Sequence, residues 1–248
     1  MTVPTDLRRC TGWFTCAATG YDSGNNRLID QSGLAFHMPL VFGSAPTFTN
    51  RGSVDCLDLT NQFYFEMHNL IPVLGSVVFK FRTDTSGSAV SLAILNWNAS
   101  RYPNGDHVAV TPNPVWEDND YRSIFWLPTS GSLLRATNFV GSDPTVATAF
   151  GALPINTWYV VTVAWNMREL AVRMKIGAGT TLMDIMGPPE PAIGTQQMEN
   201  RMRFGYLKPA AAPITAPQYL AVAQMAFFQD DILVNQPTEA AALVASWA

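Results

Sequence analysis

The sequence predicts an all-β fold, a sandwich or a barrel. Short runs rich in Val, Ile, Tyr, Trp and Thr recur along the 248 residues, turn signals separate them, and helical periodicity is nearly absent. The clearest strand pair is residues 158–176, in which a short polar connection separates two runs. The first run carries apolar residues on both faces, so we expect it to be covered on both sides. The second alternates apolar residues with Arg173 and Lys175, which predicts one solvated, charged face.

Further strand candidates follow the same signals along the chain. Residues 76–82 alternate in the way of a half-exposed antiparallel strand, and residues 219–228 are apolar on both faces, as in a central or covered strand. The complete set of predicted strands is 34–42, 54–59, 75–83, 90–97, 121–127, 133–139, 158–165, 170–176, 202–206 and 219–228.

A single helix is predicted near the end of the chain. Asn235 or Gln236 precedes Pro237, which suits the first helical position, and an Ala-rich run follows. Leu243 and Trp247 lie four residues apart on one helix face. We expect Trp247 to anchor this helix on the sandwich.

The chain is predicted to form one sandwich domain over residues 21–248, preceded by an N-terminal arm or first strand over residues 1–20. Two Pro-rich segments, 187–191 and 209–217, cannot be central strands because proline lacks the donor for the sheet ladder. Both are short and strand patterns resume after them, so we interpret them as loops within this domain.

The chain has few charged residues and no basic cluster that could bind a polyanion. Charged residues make up 14% of the chain, against about 25% in an average soluble domain. Either part of the surface is buried against other subunits, or uncharged polar residues solvate it. The net charge is −4 and no basic run exceeds Arg8-Arg9, so neither nucleic acid nor a membrane is an expected partner. No stretch has the length of a membrane span or the pattern of a signal peptide, and we expect no export by an N-terminal signal.

The three cysteines, Cys10, Cys16 and Cys56, form no CxxC pair. Their odd number argues against a disulfide scaffold and against a zinc site. Two interpretations stay open: three reduced and mostly buried thiols, or a Cys10–Cys16 bridge across a short turn.

Several ordered segments carry a family resemblance. Asp30-Gln31-Ser32-Gly33 closes an early turn segment, residues 156–165 begin Asn-Thr-Trp and continue with alternating Val, and Met202-Arg203-Phe204-Gly205 precedes the last long loop. With the closing strand and terminal helix, this order resembles the concanavalin A-like, laminin G-like jelly-roll superfamily from about residue 21 to the end. The resemblance implies an antiparallel jelly-roll β-sandwich with a short C-terminal helix. That fold serves lectins, glycan hydrolases, adhesion modules and virion proteins, so it does not decide the function.

The sequence lacks the catalytic motifs that can be recognised from residue spacing. Hydrolases of this superfamily carry a Glu-x-Asp-x-Glu strand that places three carboxylates on one face, and no such triplet occurs here. The nearest acidic cluster is residues 117–120, which we interpret as a solvated loop. The three histidines stand far apart, and neither a nucleophile-elbow nor a phosphate-loop motif is present. The chain is therefore predicted not to be an enzyme.

No cofactor and no metal site are predicted, although calcium stays open as a loop ligand. Calcium needs several oxygen ligands, and three pairs of aspartates could contribute some of them. Turn capping is the favoured role for these side chains. The pairs are Asp22 with Asp30, Asp118 with Asp120, and Asp230 with Asp231.

Aromatic residues cluster around the polar connection 98–115 and could stack on sugar rings. Core packing or a subunit contact is the competing interpretation. The candidate carbohydrate-binding residues are Trp97, Tyr102, Trp116 and Tyr121.

Two classes of function follow. The first is a non-enzymatic virion structural protein, a capsid decoration or cementing protein or a tail-associated subunit of a bacteriophage particle. It would contact other virion proteins or copies of itself after assembly in the host cytoplasm. The alternative is a lectin-like carbohydrate-binding adhesion module whose partner is a surface glycan. A glycoside hydrolase is a distant third.

Overall fold

A computed structural model describes most of the chain. The described residues are 2–43, 45–59, 63–68, 74–83, 92–98, 121–127, 133–140, 143–147, 154–166, 171–185, 201–204 and 220–248. Within them the strands are, in chain order, β1 (Cys10–Thr15), β2 (Tyr21–Asp22), β3 (Arg27–Leu28), β4 (Met38–Gly43), β5 (Thr47–Arg51), β6 (Val54–Leu59), β7 (Phe63–His68), β8 (Leu74–Thr83), β9 (Leu92–Asn98), β10 (Tyr121–Leu127), β11 (Leu133–Val140), β12 (Asp143–Ala147), β13 (Thr157–Asn166), β14 (Ala171–Ile176), β15 (Leu182–Ile185), β16 (Arg201–Phe204) and β17 (Leu220–Phe228).

The strands form two antiparallel sheets. An eight-stranded sheet has the order β15-β14-β13-β8-β17-β6-β5, with β1 paired to β17 beside β6. A nine-stranded sheet has the order β12-β11-β10-β9-β16-β7-β4-β3-β2. Non-consecutive neighbours such as β13-β8-β17 bring distant parts of the chain together. The predicted all-β antiparallel sandwich is confirmed.

The core lies between the inner faces of the two sheets. Phe79 and Phe227 from the eight-stranded sheet and Phe65 and Phe204 from the nine-stranded sheet belong to one buried cluster. The strand β17 pairs with β8 on one side and with β6 and β1 on the other, and eight of its nine residues are buried. The predicted central strand is thus confirmed. The first strand, β1, adds Phe14 to the same core.

Two short helices cover the outer face of the eight-stranded sheet. Helix α2 (Pro237–Trp247) begins with Pro237 after the N-cap residue Gln236, as predicted, and the four-residue helix α1 (Ile232–Asn235) was missed. Leu243 and Trp247 of α2 are buried against Val78 and Val160 of the sheet. The predicted anchoring of the C-terminal segment through Trp247 is confirmed.

The prediction that the Arg173 face of β14 is solvated is wrong. The Arg173 side chain is 15% exposed and donates to Asp231, which is 3% exposed, over 2.6 Å. Asp231 is the N-cap of α1, and its side chain also accepts from the backbone N–H of Val234. Because α1 and α2 fold onto this face, the charge is paired under the helices instead of meeting solvent.

Strand boundaries differ from the prediction mainly near the N-terminus. The strand expected from residue 34 begins at Met38, because the preceding residues form a loop whose backbone is bonded to Asp30. The short strands β2 and β3, the edge strand β5 and the strand β7 were not predicted, and neither were β12 and β15 further along the chain. Parts of the predicted strands 90–97, 202–206 and 219–228 lie outside the described residues.

All three cysteines are free, so the Cys10–Cys16 bridge is not formed. Cys16 and Cys56 are buried, and burial raises the pKa of the Cys16 thiol far above its ordinary value. Burial also raises the pKa of Cys10 to about 11. The thiols of Cys10 and Cys16 are therefore protonated at neutral pH and poor nucleophiles.

Candidate functional site

The pairing of the nine-stranded sheet assembles a row of polar residues from segments far apart in sequence. Glu66 pairs with Arg203, Arg203 with Asn96, Asn96 with Ser123, and Ser123 with Thr137. We call these five residues the polar row. They lie on five successive strands, β7-β16-β9-β10-β11, which corresponds to a length of about 19 Å at ~4.8 Å per strand spacing.

A second polar row lies two residues further along each strand, at one end of the sheet. His68 pairs with Arg201, and Asn98 pairs with Tyr121. We call these four residues the end row. Since residues two apart on a strand share a face, the end row and the polar row belong to the same face.

This face is the outer one, opposite the core. Phe65 and Phe204 pair with each other and are fully buried between the sheets. Glu66 and Arg203 directly adjoin them in their strands and therefore belong to the other face. The polar row thus crosses the sheet on the side that does not contribute to the central core.

Glu66 carries the clearest physical signature within the polar row. It is 4% exposed, which is unusual for a glutamate on an outer face. A buried carboxylate needs a cation or several hydrogen-bond donors. The register provides Arg203 at the paired position, a residue type that can meet this need.

Opposite charges also meet at the opposite edge of the same sheet. Arg27 in β3 donates from Nε to Asp22 Oδ2 in β2 over 3.1 Å. Asp22 also accepts from Asn25 Nδ2 at 2.7 Å and from the backbone N–H groups of Gly24 and Asn25. These bonds, above all that from the Asn25 side chain, lower the pKa of Asp22 and keep it ionised. An acidic and a basic residue therefore lie side by side at two places on this face, Asp22 with Arg27 and Glu66 with Arg203.

Two of the four aromatic candidates fall on these strands. Tyr121 belongs to the end row. Trp97 pairs with Arg122 and with Met202, one register step away, so its position belongs to the face that carries Phe65 and Phe204. The register does not bring Trp97 and Tyr121 onto one face.

The other two aromatic candidates, Tyr102 and Trp116, lie outside the described residues. Their segment connects the paired ends of β9 and β10, so it begins and ends at the end row. A sugar platform built from all four aromatics stays a prediction.

The acidic pairs considered as calcium ligands serve local structure where they are described. Asp22 caps a turn, and Asp30 accepts from the backbone N–H groups of Trp13, Ser32 and Phe36. Among the described residues no group of three or more His, Cys, Asp or Glu side chains is placed to hold a metal ion. The acidic cluster 117–120, with Asp118 and Asp120, lies outside them.

Of the histidines, His37 accepts at Nδ1 from the backbone N–H of Asp30 at 3.1 Å, which is a structural contact. His68 belongs to the end row, and His107 lies outside the described residues. Within the part of the chain that the structure describes, no helix is long and apolar enough to cross a membrane.

Comparison with known proteins identifies the fold through solved structures. No protein-family model matches the chain, and no curated protein matches it. A botulinum neurotoxin type C structure, from work on the dependence of that toxin's cell entry on two ganglioside molecules, superposes with a TM-score of 0.61 at 13% identity and covers 99% of this chain. The binding domain of serotype D gives 0.59 at 11% over 96%, and the receptor-binding domain of a C/D mosaic serotype gives 0.63 at 11% over 98%.

At these identities the likeness establishes the fold. The chain spans about half the length of the structures it matches, 51–52% of those three chains. The neighbours are receptor-binding domains with a β-sandwich architecture, as the jelly-roll expectation requires.

Neither row was predicted from the sequence, although each strand carries a local signal. Residues 65–68 and 201–204 alternate apolar and polar side chains, which identifies half-buried strands. What the sequence lacks is the order and register of the strands. Only the pairing of β7, β16, β9 and β10 turns these separate alternations into one surface.

Proposed function

We propose that this chain is a non-enzymatic, lectin-like carbohydrate-binding module and that the polar row and the end row form its glycan-binding face. The observation that carries the proposal is the register, which gathers Glu66, Arg203 and Asn96 on one outer face. The likeness to receptor-binding domains, one of them described with gangliosides, supports a binding role over catalysis. Because the chain spans only about half of that structure, ganglioside recognition is carried over here as a hypothesis.

The composition of the two rows suits sugar hydroxyls. Each hydroxyl donates one hydrogen bond and accepts two, so neighbouring hydroxyls need donors and acceptors in alternation. Arg203 supplies donors and Asn96 supplies both donors and acceptors, while the buried Glu66 occupies the position beside Arg203 and does not reach the ligand. Ser123 and Thr137 extend the mixed set across the sheet.

Tyr121 adds an aromatic ring of the kind that packs on the apolar face of a sugar. The placement of Asp22 beside Arg27 and of Glu66 beside Arg203 argues against a polyanion as the ligand. A ligand rich in hydroxyl groups matches this surface better than a phosphate-rich one.

A glycan array followed by calorimetry on the best glycan tests the proposal. The double variant Asn96→Ala/Ser123→Ala should bind that glycan about 10- to 100-fold more weakly, because one partner of buried hydrogen bonds is lost. Lys175→Ala, on the other sheet, is the matched control and should bind as the wild type does. If no glycan binds, or if the double variant retains full affinity, the proposal fails.

The alternative function is a structural subunit of a bacteriophage particle, a capsid decoration or cementing protein or a tail-associated subunit, assembled in the host cytoplasm. Its one specific support is the charged fraction of 14%, which suits a surface buried against other subunits. Light scattering after size-exclusion chromatography separates the two functions. A stable monomer that binds a glycan favours the module, whereas assembly without glycan binding favours the subunit.

A further inference from the structure

Exposed apolar side chains concentrate in one short segment. Among the described residues, five large hydrophobic residues are exposed, and three of them fall between positions 34 and 41. Leu34 is 50% exposed, Phe36 41% and Val41 50%. The other two, Ile155 and Val234, lie in separate parts of the chain. Single exposed apolar residues are ordinary, but three within eight residues form a local feature.

The segment that carries Leu34 and Phe36 is a well-defined loop, residues 31–37, which we call the apolar loop. The buried carboxylate of Asp30 accepts from the backbone N–H of Ser32 at 2.9 Å, from the Ser32 hydroxyl at 2.7 Å and from the backbone N–H of Phe36 at 3.0 Å. The same carboxylate accepts from the backbone N–H of Trp13 in β1 at 3.0 Å. The loop is thus bonded to the sandwich at its base while its two large apolar side chains stay in water.

The apolar loop lies at the same end of the nine-stranded sheet as the end row. It immediately precedes β4, in which Leu40 pairs with Phe65 of β7. Because β4 and β7 are antiparallel, the residues before Leu40 lie beside those after Phe65, where His68 is found. One end of the sheet therefore presents both an apolar loop and polar residues.

The size of the feature indicates what can cover it. Half of a large apolar side chain amounts to roughly 100 Å². Two or three such side chains supply roughly 200–300 Å², which is less than the roughly 450 Å² of apolar area per partner that a standard protein interface buries. The loop contains no Asp, Glu, Lys or Arg, and Leu and Phe are residue types that enter the boundary between lipid headgroups and acyl chains.

We infer that the apolar loop docks on the surface of a lipid bilayer, with Leu34 and Phe36 entering the headgroup–acyl boundary. The absence of a basic run excludes polybasic attraction, and contact through two apolar side chains requires none. Since the loop itself is uncharged, its docking should not require anionic lipid, and the net charge of −4 provides no attraction to such lipid. Two apolar side chains anchor a protein only weakly to a bilayer. A second contact with the membrane surface would strengthen this anchoring. A glycolipid headgroup on the end row would supply that contact, and this last step rests on the proposed function.

Flotation with plain phosphatidylcholine vesicles tests the loop without any glycan. The double variant Leu34→Ser/Phe36→Ser should partition about 10- to 100-fold more weakly than the wild type. The control variant Ile155→Ser/Val234→Ser removes equally exposed apolar side chains elsewhere and should partition as the wild type does. All four side chains are exposed, so thermal melting should show both variants folded. Equal partitioning of the three proteins, including no binding by any of them, overturns the inference.

A second arm distinguishes failure of the loop from failure of the glycan-binding face. Vesicles that contain mixed gangliosides are compared with the soluble ganglioside oligosaccharides. Leu34→Ser/Phe36→Ser should weaken binding to the vesicles and leave binding to the soluble sugars unchanged. Asn96→Ala/Ser123→Ala should weaken both. Loss of soluble-sugar binding in the loop variant would contradict the separate roles of the loop and the rows.

Discussion

The outer faces of the two sheets carry different kinds of residues. On the eight-stranded sheet, Val78 and Val160 are buried beneath Leu243 and Trp247 of the terminal helix. On the nine-stranded sheet, the corresponding outer face carries Glu66, Arg203 and Asn96 in register. The first face stabilises the fold by burying apolar area, whereas the second offers hydrogen-bonding groups.

The two outer faces therefore differ in the surface that they leave for a ligand. A sheet face that is covered by the chain's own helices has little surface left for a ligand. On the nine-stranded sheet, Val41 and Arg27 keep substantial exposure at the edge of the polar face. Substitutions on the first face should therefore change stability and spare binding, and substitutions on the second should do the reverse.

The largest expected effect is on the covered face. Leu243→Ala removes a fully buried side chain beneath the helix and should lower the free energy of unfolding by about 3 kcal/mol, measured by urea denaturation. Val234→Ala, on the exposed side of α1, should change it by less than about 0.5 kcal/mol. Equal effects of the two substitutions would show that the helix does not cover the sheet.

The next effect concerns the ion pair under α1. Arg173→Met leaves Asp231 buried without its cation and should lower the free energy of unfolding by about 2 kcal/mol, less than a fully buried pair because Arg173 keeps some exposure. Adding Asp231→Asn should recover part of that loss, since the uncompensated charge is removed. If the double variant is as destabilised as the sum of the single variants, the two residues do not interact.

On the polar face, Tyr121→Ala should weaken glycan binding about 2- to 10-fold in calorimetry, because one aromatic contact is lost. Tyr121→Phe keeps the ring and should restore most of the affinity. A Tyr121→Phe variant as weak as Tyr121→Ala would mean that the hydroxyl, not the ring, makes the contact.

The smallest effect is a pH dependence reported by Cys10, which packs at the margin of the covered face. Burial raises the pKa of its thiol from 9.0 to about 11. The unfolded chain therefore ionises this thiol first, and the stability it contributes is complete below pH 9 and is lost as the pH rises towards 11. Alkylation of Cys10 by iodoacetamide should be slow at pH 8 and should accelerate in Leu243→Ala. Rapid alkylation in the wild type would show that Cys10 is not covered in the folded protein.

Much of the fold was predictable from local patterns. The alternation in residues 170–176, the two-faced apolar run of β17 and Pro237 before an Ala-rich segment each identify an element. These signals work because burial on one or two faces dictates the residue types along a strand or helix. The solvated face predicted for Arg173 was wrong because Asp231, its partner, lies 58 residues away in sequence.

The polar row was not predictable, for the same physical reason. Glu66 and Arg203 are 137 positions apart, and the local sequence does not show which strands pair. The aromatic residues were conspicuous as residue types, but a residue type does not specify a face. A shift of one residue in register moves every side chain to the other side of a sheet, and Trp97 and Tyr121 differ by one such step.

Hydrogen exchange measured with and without a saturating glycan shows which of the two outer faces binds it. If the polar row and the end row bind the glycan, backbone protection should increase in residues 63–68, 92–98, 121–127 and 201–204. Residues 171–176 and the terminal helices should exchange as before. Protection confined to the eight-stranded sheet or to α2 would contradict the assignment of the binding face.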